Sequence, residues 1–268
     1  MNLVLDIGGT TTKFSYFDSF SKLKNNFKKI QTLAKYNNFL NFLRTEFRNL
    51  KFKKVCISFA GMIDKEKGKI IKAPNIIDYQ NRFIKRDFEK IFKCKVYLEN
   101  DAALAALGES IYGNGKNYKI IAYITLSTGI GGAKIVNKKI DENLFGFEPG
   151  HSLFLLDFSK VEFEELEKLI SGKAIERIFE IKPENIKDKN FWKIINKIFS
   201  GFLVNVALFW SPEVIIIGGS LAKSLDFDLL KISFENLKTM PFKIKILKSK
   251  LEDLSALYGG YYLLNYFK

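Results

Sequence analysis

The sequence is poor in the residues on which many enzyme sites depend, with one histidine, two cysteines and five prolines among 268 residues. Cys56 and Cys94 lie in apolar runs without C-x-x-C spacing, which favours small core residues over a disulfide or a zinc site. There is no run of about 18 apolar residues and no basic leader followed by one. We therefore expect a cytoplasmic protein with no membrane span.

Acidic residues are scarce relative to basic ones, with 29 Asp and Glu against 43 Lys and Arg, for a net charge of +14. Such a charge is compatible with nucleic acid, a membrane surface or an anionic substrate. The lysines are scattered, and no basic helix or zinc-finger spacing occurs, which favours a solvated surface. The hydrophobic fraction of 47% is ample for one large domain or two lobes.

The apolar pattern predicts an α/β protein with a coarse internal duplication. Buried strands at 3–7 and 120–126 are each followed by a turn of small residues and a returning strand, so we place the break between the halves near 113–119. The other predicted elements are helices at 37–50, 87–92, 102–112, 190–209 and 254–267, a mostly helical segment at 162–179, and strands at 12–17, 55–59, 95–98, 132–136, 214–217 and 243–247.

Two turns, DIGGTTTK at 6–13 and LSTGIGGAK at 126–134, have the composition of phosphate-binding loops. Glycine lets a phosphate approach the backbone N–H groups, and threonine adds a hydroxyl donor. Neither turn is a P-loop or a G-x-G-x-x-G turn before a helix. One such turn is more often a plain hairpin, but two, one leading each half, could close on a triphosphate. Asp6, at a strand end, would hold Mg²⁺ through water.

A third turn, SPEVIIIGGSLAK at 211–223, leaves two interpretations open. The strand that runs into Gly218 and Gly219 could bring the backbone against an adenine or a ribose. The alternative is a βα turn with ordinary packing glycines.

The stretch LENDAALAALGE at 98–109 places three polar residues between a strand and a helix. Asp101 could cap the helix. It is equally well placed to accept a proton from a sugar hydroxyl, while the Asn100 amide can hold a neighbouring hydroxyl. Glu109, on roughly the same helix face as Asp101, is interpreted as structural.

The only histidine lies in FGFEPGH at 145–151. A lone histidine is usually a packing or surface residue. Pro149 and Gly150 turn the chain, however, so that Glu148 and His151 can face one pocket. A carboxylate and an imidazole suit the vicinal hydroxyls of a sugar, whereas two ligands are too few for a metal.

In combination, these segments resemble the ROK family of sugar kinases and repressors, in the actin-like ATPase superfamily, over nearly the whole chain. DIGGTTTK and TLSTGIGGAK are similar to its two phosphate motifs, PEVIIIGGSLAK to its adenosine motif, ENDAALAALGE to E-N-D-A-N-x-x-A-x-G-E, and EPGH to E-x-G-H. SFAGMID and APNI are similar to its small-lobe sugar-contact segments. The resemblance implies a two-lobed actin-like ATPase (ribonuclease H-like) fold with the active site in the interlobe cleft. The small lobe would span 1–113, with the helix at 255–267 packing back on it, and the large lobe 114–254.

The resemblance also implies a glucokinase-like enzyme that transfers the ATP γ-phosphoryl group to the 6-OH of a hexose or N-acetylhexosamine, with Asp101 as catalytic base. Its cofactors would be ATP and Mg²⁺, the latter held by Asp6 through water. The implied sugar contacts are Asn75, Asn100, Asp101, Glu148, His151 and Glu167. The implied nucleotide contacts are Asp6, Gly8, Gly9, Thr10, Thr11, Lys13, Thr128, Gly129, Gly218 and Gly219.

One family feature is missing. The zinc motif C-x-C-G-x-x-G-C-x-E, which precedes a Ser-Gly in zinc-bearing members, has no cysteine here: Glu165 stands where the last one would be, and Glu167 supplies the final glutamate. In those members the histidine of E-x-G-H is also a zinc ligand. We therefore predict no zinc site, with His151 left to the sugar. We expect the loop around it to be held by packing of Phe154, Leu156 and Phe158.

The implied partners are small molecules, with neither nucleic acid nor membrane, and a homo-oligomer, a dimer or tetramer, is expected. Family repressors carry a helix-turn-helix before the first phosphate motif; because that motif begins at Asp6 here, we expect the protein not to be a DNA-binding repressor. Two rival functions stay open at this point: a sugar-binding regulator without catalysis, and an actin-like phosphotransferase that acts on a non-sugar acceptor.

Overall fold

The computed structural model describes residues 1–20 and 22–266. The strands are β1 Asn2–Ile7, β2 Thr11–Phe17, β3 Lys28–Gln31, β4 Lys54–Phe59, β5 Met62–Asp64, β6 Lys69–Lys72, β7 Lys95–Asn100, β8 Ile120–Leu126, β9 Ile130–Val136, β10 Lys139–Ile140, β11 Leu153–Asp157, β12 Glu162–Glu165, β13 Val214–Gly218 and β14 Lys245–Lys248. The helices are α1 Lys22–Asn25, α2 Tyr36–Glu46, α3 Ile84–Phe92, α4 Asp101–Tyr112, α5 Leu166–Ile170, α6 Gly172–Phe179, α7 Lys189–Trp210, α8 Phe227–Leu237 and α9 Ser255–Tyr266.

The chain divides into two units. The first comprises Met1–Ile111, Asn143–Gly146 and the described part of Leu254–Lys268. The second comprises Tyr112–Glu142 and Phe147–Asp253. Phe267, which the sequence pattern places in the last helix, lies outside the described residues.

The first unit is built on a five-stranded sheet of order β3-β2-β1-β4-β7. Strand β2 runs antiparallel to both its neighbours, whereas β1, β4 and β7 are parallel. Alternate side chains of β1, including Leu3 and Leu5, pack in a core with residues of α2 and α3. Because side chains of a strand alternate between its faces, Val4 points to the opposite side, where it meets Gly260 of α9.

Helices α4 and α9 approach each other closely in the first unit. A methyl group added to Gly108 would collide with the carbonyl oxygen of Ser255, and one added to Gly259 with that of Leu104. The Ser255 hydroxyl donates to the fully buried Glu109 carboxylate over 3.3 Å. The interpretation of Glu109 as a structural residue is therefore confirmed.

The second unit repeats the plan with a sheet of order β10-β9-β8-β13-β14. Strands β8 and β9 are antiparallel, while β8, β13 and β14 are parallel. Helix α7 packs much of its apolar surface into the core of this unit. By length and composition α7 is apolar enough to cross a membrane, but half of its most apolar stretch is buried inside the protein.

The segment 162–179, predicted to be mostly helical, is helical over 166–170 and 172–179 but begins with a strand. Glu162–Glu165 form strand β12, which pairs with β11, because Phe163 lies opposite Leu155 in a two-stranded ladder. The helix then begins at Leu166 and is interrupted at Ser171, whose hydroxyl accepts a hydrogen bond from the Ala174 N–H at 3.2 Å and caps α6.

Candidate active site

Asp6 lies near the end of β1, and two neighbouring side chains hold its carboxylate. The Ser58 hydroxyl on β4 donates to Asp6 Oδ1 over 2.6 Å. The Lys13 ammonium on β2 lies 3.9 Å from Asp6 Oδ2. The three groups are neighbours because Asp6 lies opposite Lys13 in the β1–β2 pairing and opposite Ser58 in the β1–β4 pairing. The carboxylate is thus oriented by its neighbours on the sheet.

The turn after Asp6 is braced by hydrogen bonds and carries Asn75 on its surface. The Gly8 N–H donates to the Thr11 carbonyl over 3.0 Å, and the Thr32 hydroxyl donates to the Gly8 carbonyl over 2.7 Å. A side chain at Gly9 would collide with Cβ of Asn75, so glycine is required for this contact. The first phosphate-type turn and the expected sugar residue Asn75 are therefore direct neighbours.

Asn100 and Asp101 lie where β7 passes directly into α4. The Asn100 Oδ1 atom accepts a hydrogen bond from the Ala103 N–H at 3.1 Å, and its amide group donates to the Gly61 carbonyl over 3.4 Å. Asn100 thus makes the capping contact that the sequence alternatively ascribed to Asp101. Asp101 is the first residue of the helix and is partly buried.

Glu99, which precedes Asn100 and Asp101, is buried, and its carboxylate contacts two neighbouring groups. Its Oε1 accepts a hydrogen bond from the Asn100 N–H at 2.8 Å and forms a 2.7 Å ion pair with Lys65. These contacts hold the end of β7 in place, which positions the following residue, Asp101.

The ends of β1, β4 and β7 bring the first-unit residues together. The strands are parallel and in register, with Asp6 beside Ser58 and Ser58 beside Glu99. Since neighbouring strands are about 4.8 Å apart, β1 and β7 are separated by roughly 10 Å. Asp6 and Asp101 therefore share the carboxyl edge of one sheet, where α/β proteins bind their ligands.

Cys56, on β4 between these groups, is a core residue. Its side chain is fully buried, and both cysteines are free. Burial, followed by the negative charges of Glu99 and Asp6, raises the pKa of the Cys56 thiol far above its ordinary range. The thiol stays protonated at neutral pH, so it is unsuited to nucleophilic catalysis. The prediction of small, unpaired core cysteines is confirmed for Cys56.

The second phosphate-type turn is tied to α5 and α6. The Gly172 N–H donates to the Ser127 carbonyl over 2.8 Å, and the Lys173 N–H donates to the Thr128 carbonyl over 3.1 Å. The Glu167 Oε2 atom accepts a hydrogen bond from the Ile130 N–H at 2.7 Å. A methyl group on the intervening Gly129 would lie only 2.5 Å from the same oxygen. Glu167 therefore contacts this turn directly.

The EPGH segment packs on the strand that leaves this turn. Pro149–His151 form a 3₁₀ turn in which a side chain at Gly150 would collide with the Ile130 carbonyl. Pro149 covers Gly132, where an added methyl group would lie 2.7 Å from the proline Cγ. Glu167 thus lies against Gly129 of the turn, and the segment that carries Glu148 and His151 packs on the strand that follows it.

His151 meets a residue to which the sequence analysis gave no role in the site. Its Nδ1 lies 3.1 Å from Oε2 of Glu165, the last residue of β12. The expectation that Phe154, Leu156 and Phe158 hold this loop is correct only for Phe154, which packs on the core. Leu156 and Phe158 are 53% and 86% exposed. The only signal for Glu165 was its position in place of a cysteine.

Gly218 and Gly219 have a packing role. A side chain at Gly218 would collide with the Tyr123 hydroxyl, and one at Gly219 with the Leu126 backbone. Gly219 also has φ +92°, a left-handed conformation that favours glycine. These contacts fit the packing interpretation, and a nucleotide contact at the same glycines is left as a proposal.

The carboxylate of Asp6 is compatible with a hydrated magnesium ion. Among residues 1–20 and 22–266, no three His, Cys, Asp or Glu side chains are grouped as metal ligands. Magnesium keeps several waters and commonly binds through one or two carboxylates together with substrate phosphates. The oriented carboxylate of Asp6, beside a phosphate-type turn, fits that pattern.

Comparison with known proteins identifies the family. Residues 2–266 match the ROK family. The chain is 37% identical over 99 residues to the glucokinase of Streptomyces coelicolor and 34% identical over 107 residues to the xylose repressor of Bacillus subtilis. These alignments cover 36% and 39% of this chain but only 31% and 26% of those proteins. The ROK family glucokinase from Streptomyces griseus, solved with glucose and AMPPNP, superposes with a TM-score of 0.79 at 22% identity over 97% of both chains. The chain belongs to the ROK family and has its two-lobed actin-like ATPase fold.

Proposed function

We propose that the protein is an ATP-dependent sugar kinase that transfers the γ-phosphoryl group to the 6-OH of a hexose or N-acetylhexosamine. The observation that carries this proposal is the shared sheet edge that bears Asp6, Asn100 and Asp101, with Asn75 seated on the adjoining turn. Phosphoryl transfer to an alcohol requires three parts. They are backbone turns that can bind phosphate, an oriented carboxylate, and a second carboxylate beside amide groups.

Asp101 is the catalytic base in this proposal. Its carboxylate accepts the proton of the sugar hydroxyl as that oxygen bonds to phosphorus. The residues proposed to orient the sugar are Asn75, Asn100, Glu148, His151 and Glu167. Orientation contributes most, because the transition state for phosphoryl transfer is loose and requires little covalent assistance.

The nucleotide is held by the glycine and threonine turns. Backbone N–H groups around Gly8–Thr11 and Thr128–Gly129 donate to phosphate oxygens, and Gly218 and Gly219 let the backbone approach the adenosine. Asp6 would hold Mg²⁺ through water, and the bound ion would offset the negative charge of the phosphates. The reaction would take place in the cytoplasm, in a dimer or tetramer.

A screen for ADP release tests this proposal. The protein is incubated with Mg-ATP and with glucose, mannose, fructose, N-acetylglucosamine, N-acetylmannosamine or allose in turn. The proposal predicts that at least one of these sugars raises ADP release far above the rate with ATP alone. ATP binding with no response to any of them would favour the non-sugar phosphotransferase.

A second candidate, a sugar-binding regulator without catalysis, is favoured by the similarity to a xylose repressor. It predicts that a sugar raises the melting temperature but causes no ADP release. Thermal shift measurements on the same panel of sugars, with xylose added, separate the two functions.

A further inference from the structure

Backbone contacts join the residues that follow the turn Pro149–His151 to strand β12, which ends at Glu165. Leu153 pairs with Glu165 in the β11–β12 ladder, and the Leu166 N–H donates to the Ser152 carbonyl over 3.0 Å. Glu165 is therefore delivered beside the histidine by two backbone connections. Its Oε2 lies 3.1 Å from Nδ1 of His151.

This contact determines which ring nitrogen carries the proton. An ionised carboxylate has only acceptor atoms, so a neutral imidazole that hydrogen-bonds to it through Nδ1 must be protonated there. The other nitrogen, Nε2, then has a free lone pair. Free neutral histidine in water prefers the opposite form, with the proton on Nε2. An Nδ1–H tautomer at His151 would thus be imposed by Glu165 and not by the ring itself.

We propose that Glu165 is a positioning residue that holds His151 in the Nδ1–H tautomer, so that Nε2 accepts a hydrogen bond from a sugar hydroxyl. The part of this inference that concerns the sugar rests on the proposed function. Glu165 stands where zinc-bearing relatives have the last cysteine of their metal motif. In this chain a carboxylate in direct contact with the ring orients the histidine.

A purely structural ion-pair cluster is the competing explanation. Lys168 lies 3.8 Å from Glu165 Oε2 and 3.0 Å from Glu164 Oε1. Partly exposed pairs of this kind contribute little to stability. Glu164 is the matched control, because it shares the strand and the lysine with Glu165 but forms no hydrogen bond or ion pair with His151 among those observed.

The single histidine makes the tautomer directly measurable. Protein labelled with ¹⁵N-histidine and expressed without a polyhistidine tag gives one set of ring signals, and long-range ¹⁵N–¹H correlation shows which nitrogen is protonated. The spectra are compared at a pH where titration of these signals has reached its neutral plateau. We expect the Nδ1–H form to dominate in wild type and in Glu164→Gln. In Glu165→Gln we expect a mixture, because the amide can either accept from Nδ1–H or donate to Nδ1.

Kinetics with the sugar that gives activity test the second half of the inference. Glu165→Gln should raise KM for the sugar by about 2- to 10-fold, the range of one net hydrogen bond, while kcat changes by less than about 2-fold. Glu164→Gln should change neither constant. Addition of the sugar should also shift the Nε2 signal of wild-type His151.

The outcomes separate this inference from the proposed function. If the ratio of the two tautomers is the same in wild type, Glu164→Gln and Glu165→Gln, the role of Glu165 is overturned, whether or not the protein is a kinase. A wild-type Nε2 signal that does not shift with a sugar that is turned over would overturn the contact with the hydroxyl. Absence of ADP release with every sugar would refute the proposed function, and a dominant Nδ1–H form would still support the control of the tautomer by Glu165.

Discussion

Ser58 donates a 2.6 Å hydrogen bond to Asp6 across the parallel pair of strands β4 and β1. The bond fixes one carboxylate oxygen and leaves the other 3.9 Å from the Lys13 ammonium. In the proposed function, this restricted carboxylate would hold a hydrated Mg²⁺ ion beside the first turn.

The first prediction concerns this pair. Asp6→Asn removes the charge that attracts the cation, so it should lower kcat/KM for Mg-ATP by about 10²-fold and raise the Mg²⁺ concentration needed for half-maximal rate. Ser58→Ala retains the charge but loses its orientation, so it should cost about 3- to 10-fold, as expected for one net hydrogen bond. A magnesium titration of ADP release measures both effects. An unaltered magnesium requirement in Asp6→Asn would show that Asp6 is not involved.

The second prediction concerns Glu167, which supports the second turn as well as the proposed sugar site. Glu167→Ala leaves the buried Ile130 N–H without its acceptor. The free energy of unfolding should fall by about 1–3 kcal/mol, the cost of an unsatisfied buried group. Glu167→Gln keeps an acceptor oxygen and should be closer to wild type. Urea denaturation checks both variants, and wild-type stability in Glu167→Ala would limit the residue to a contact with the substrate.

The third prediction concerns zinc. Elemental analysis should find no bound zinc in purified wild type or in His151→Ala, because Glu165 occupies the place of a metal-binding cysteine. His151→Ala should bind the sugar more weakly, by about 10-fold as judged from KM. One zinc per chain in wild type that is lost in His151→Ala would contradict the prediction that His151 binds no zinc.

The fourth prediction uses pH. The backbone N–H groups of Ile120 and Lys119 donate to the Glu213 carboxylate and lower its pKa. Because the folded-state pKa lies below the unfolded one, the stabilisation is complete above about pH 4.5 and is lost as the pH falls through the folded value. Glu213→Gln should therefore reduce stability at pH 7, by less than about 1 kcal/mol at this exposed position. The difference should shrink below pH 4 in urea denaturation, and a difference that does not vary with pH would contradict this assignment.

The sequence predicted strands best where the composition of a run and the residues that follow it indicated the same structure. Strands β8 and β13 are short runs of buried, mostly β-branched residues followed by small residues, so both their type and their ends could be predicted. The placement of Asp6 and Asp101 at strand ends follows from the same pattern. Family membership and fold class are confirmed.

Other features depend on tertiary contacts that a linear pattern does not encode. Strand β3 is an edge strand of sequence KKIQ with mostly exposed residues, so it has no apolar alternation. Strand β12 contains three glutamates and forms because β11 lies beside it. Asn100 caps α4 because its side chain can reach the Ala103 N–H. In each case the structure of the segment depends on the residues that it contacts and not on its own sequence alone.

The fifth prediction concerns the proposal that Asp101 is the base of a sugar kinase. Wild-type protein and Asp101→Asn are each given Mg-ATP and the sugar that gives the highest ADP release, and the phosphorylated product is quantified by ³¹P NMR while sugar affinity is measured by calorimetry. We expect a sugar 6-phosphate from wild type and a kcat at least about 10²-fold lower in Asp101→Asn, with sugar affinity retained. Near-normal formation of sugar phosphate by Asp101→Asn would contradict it.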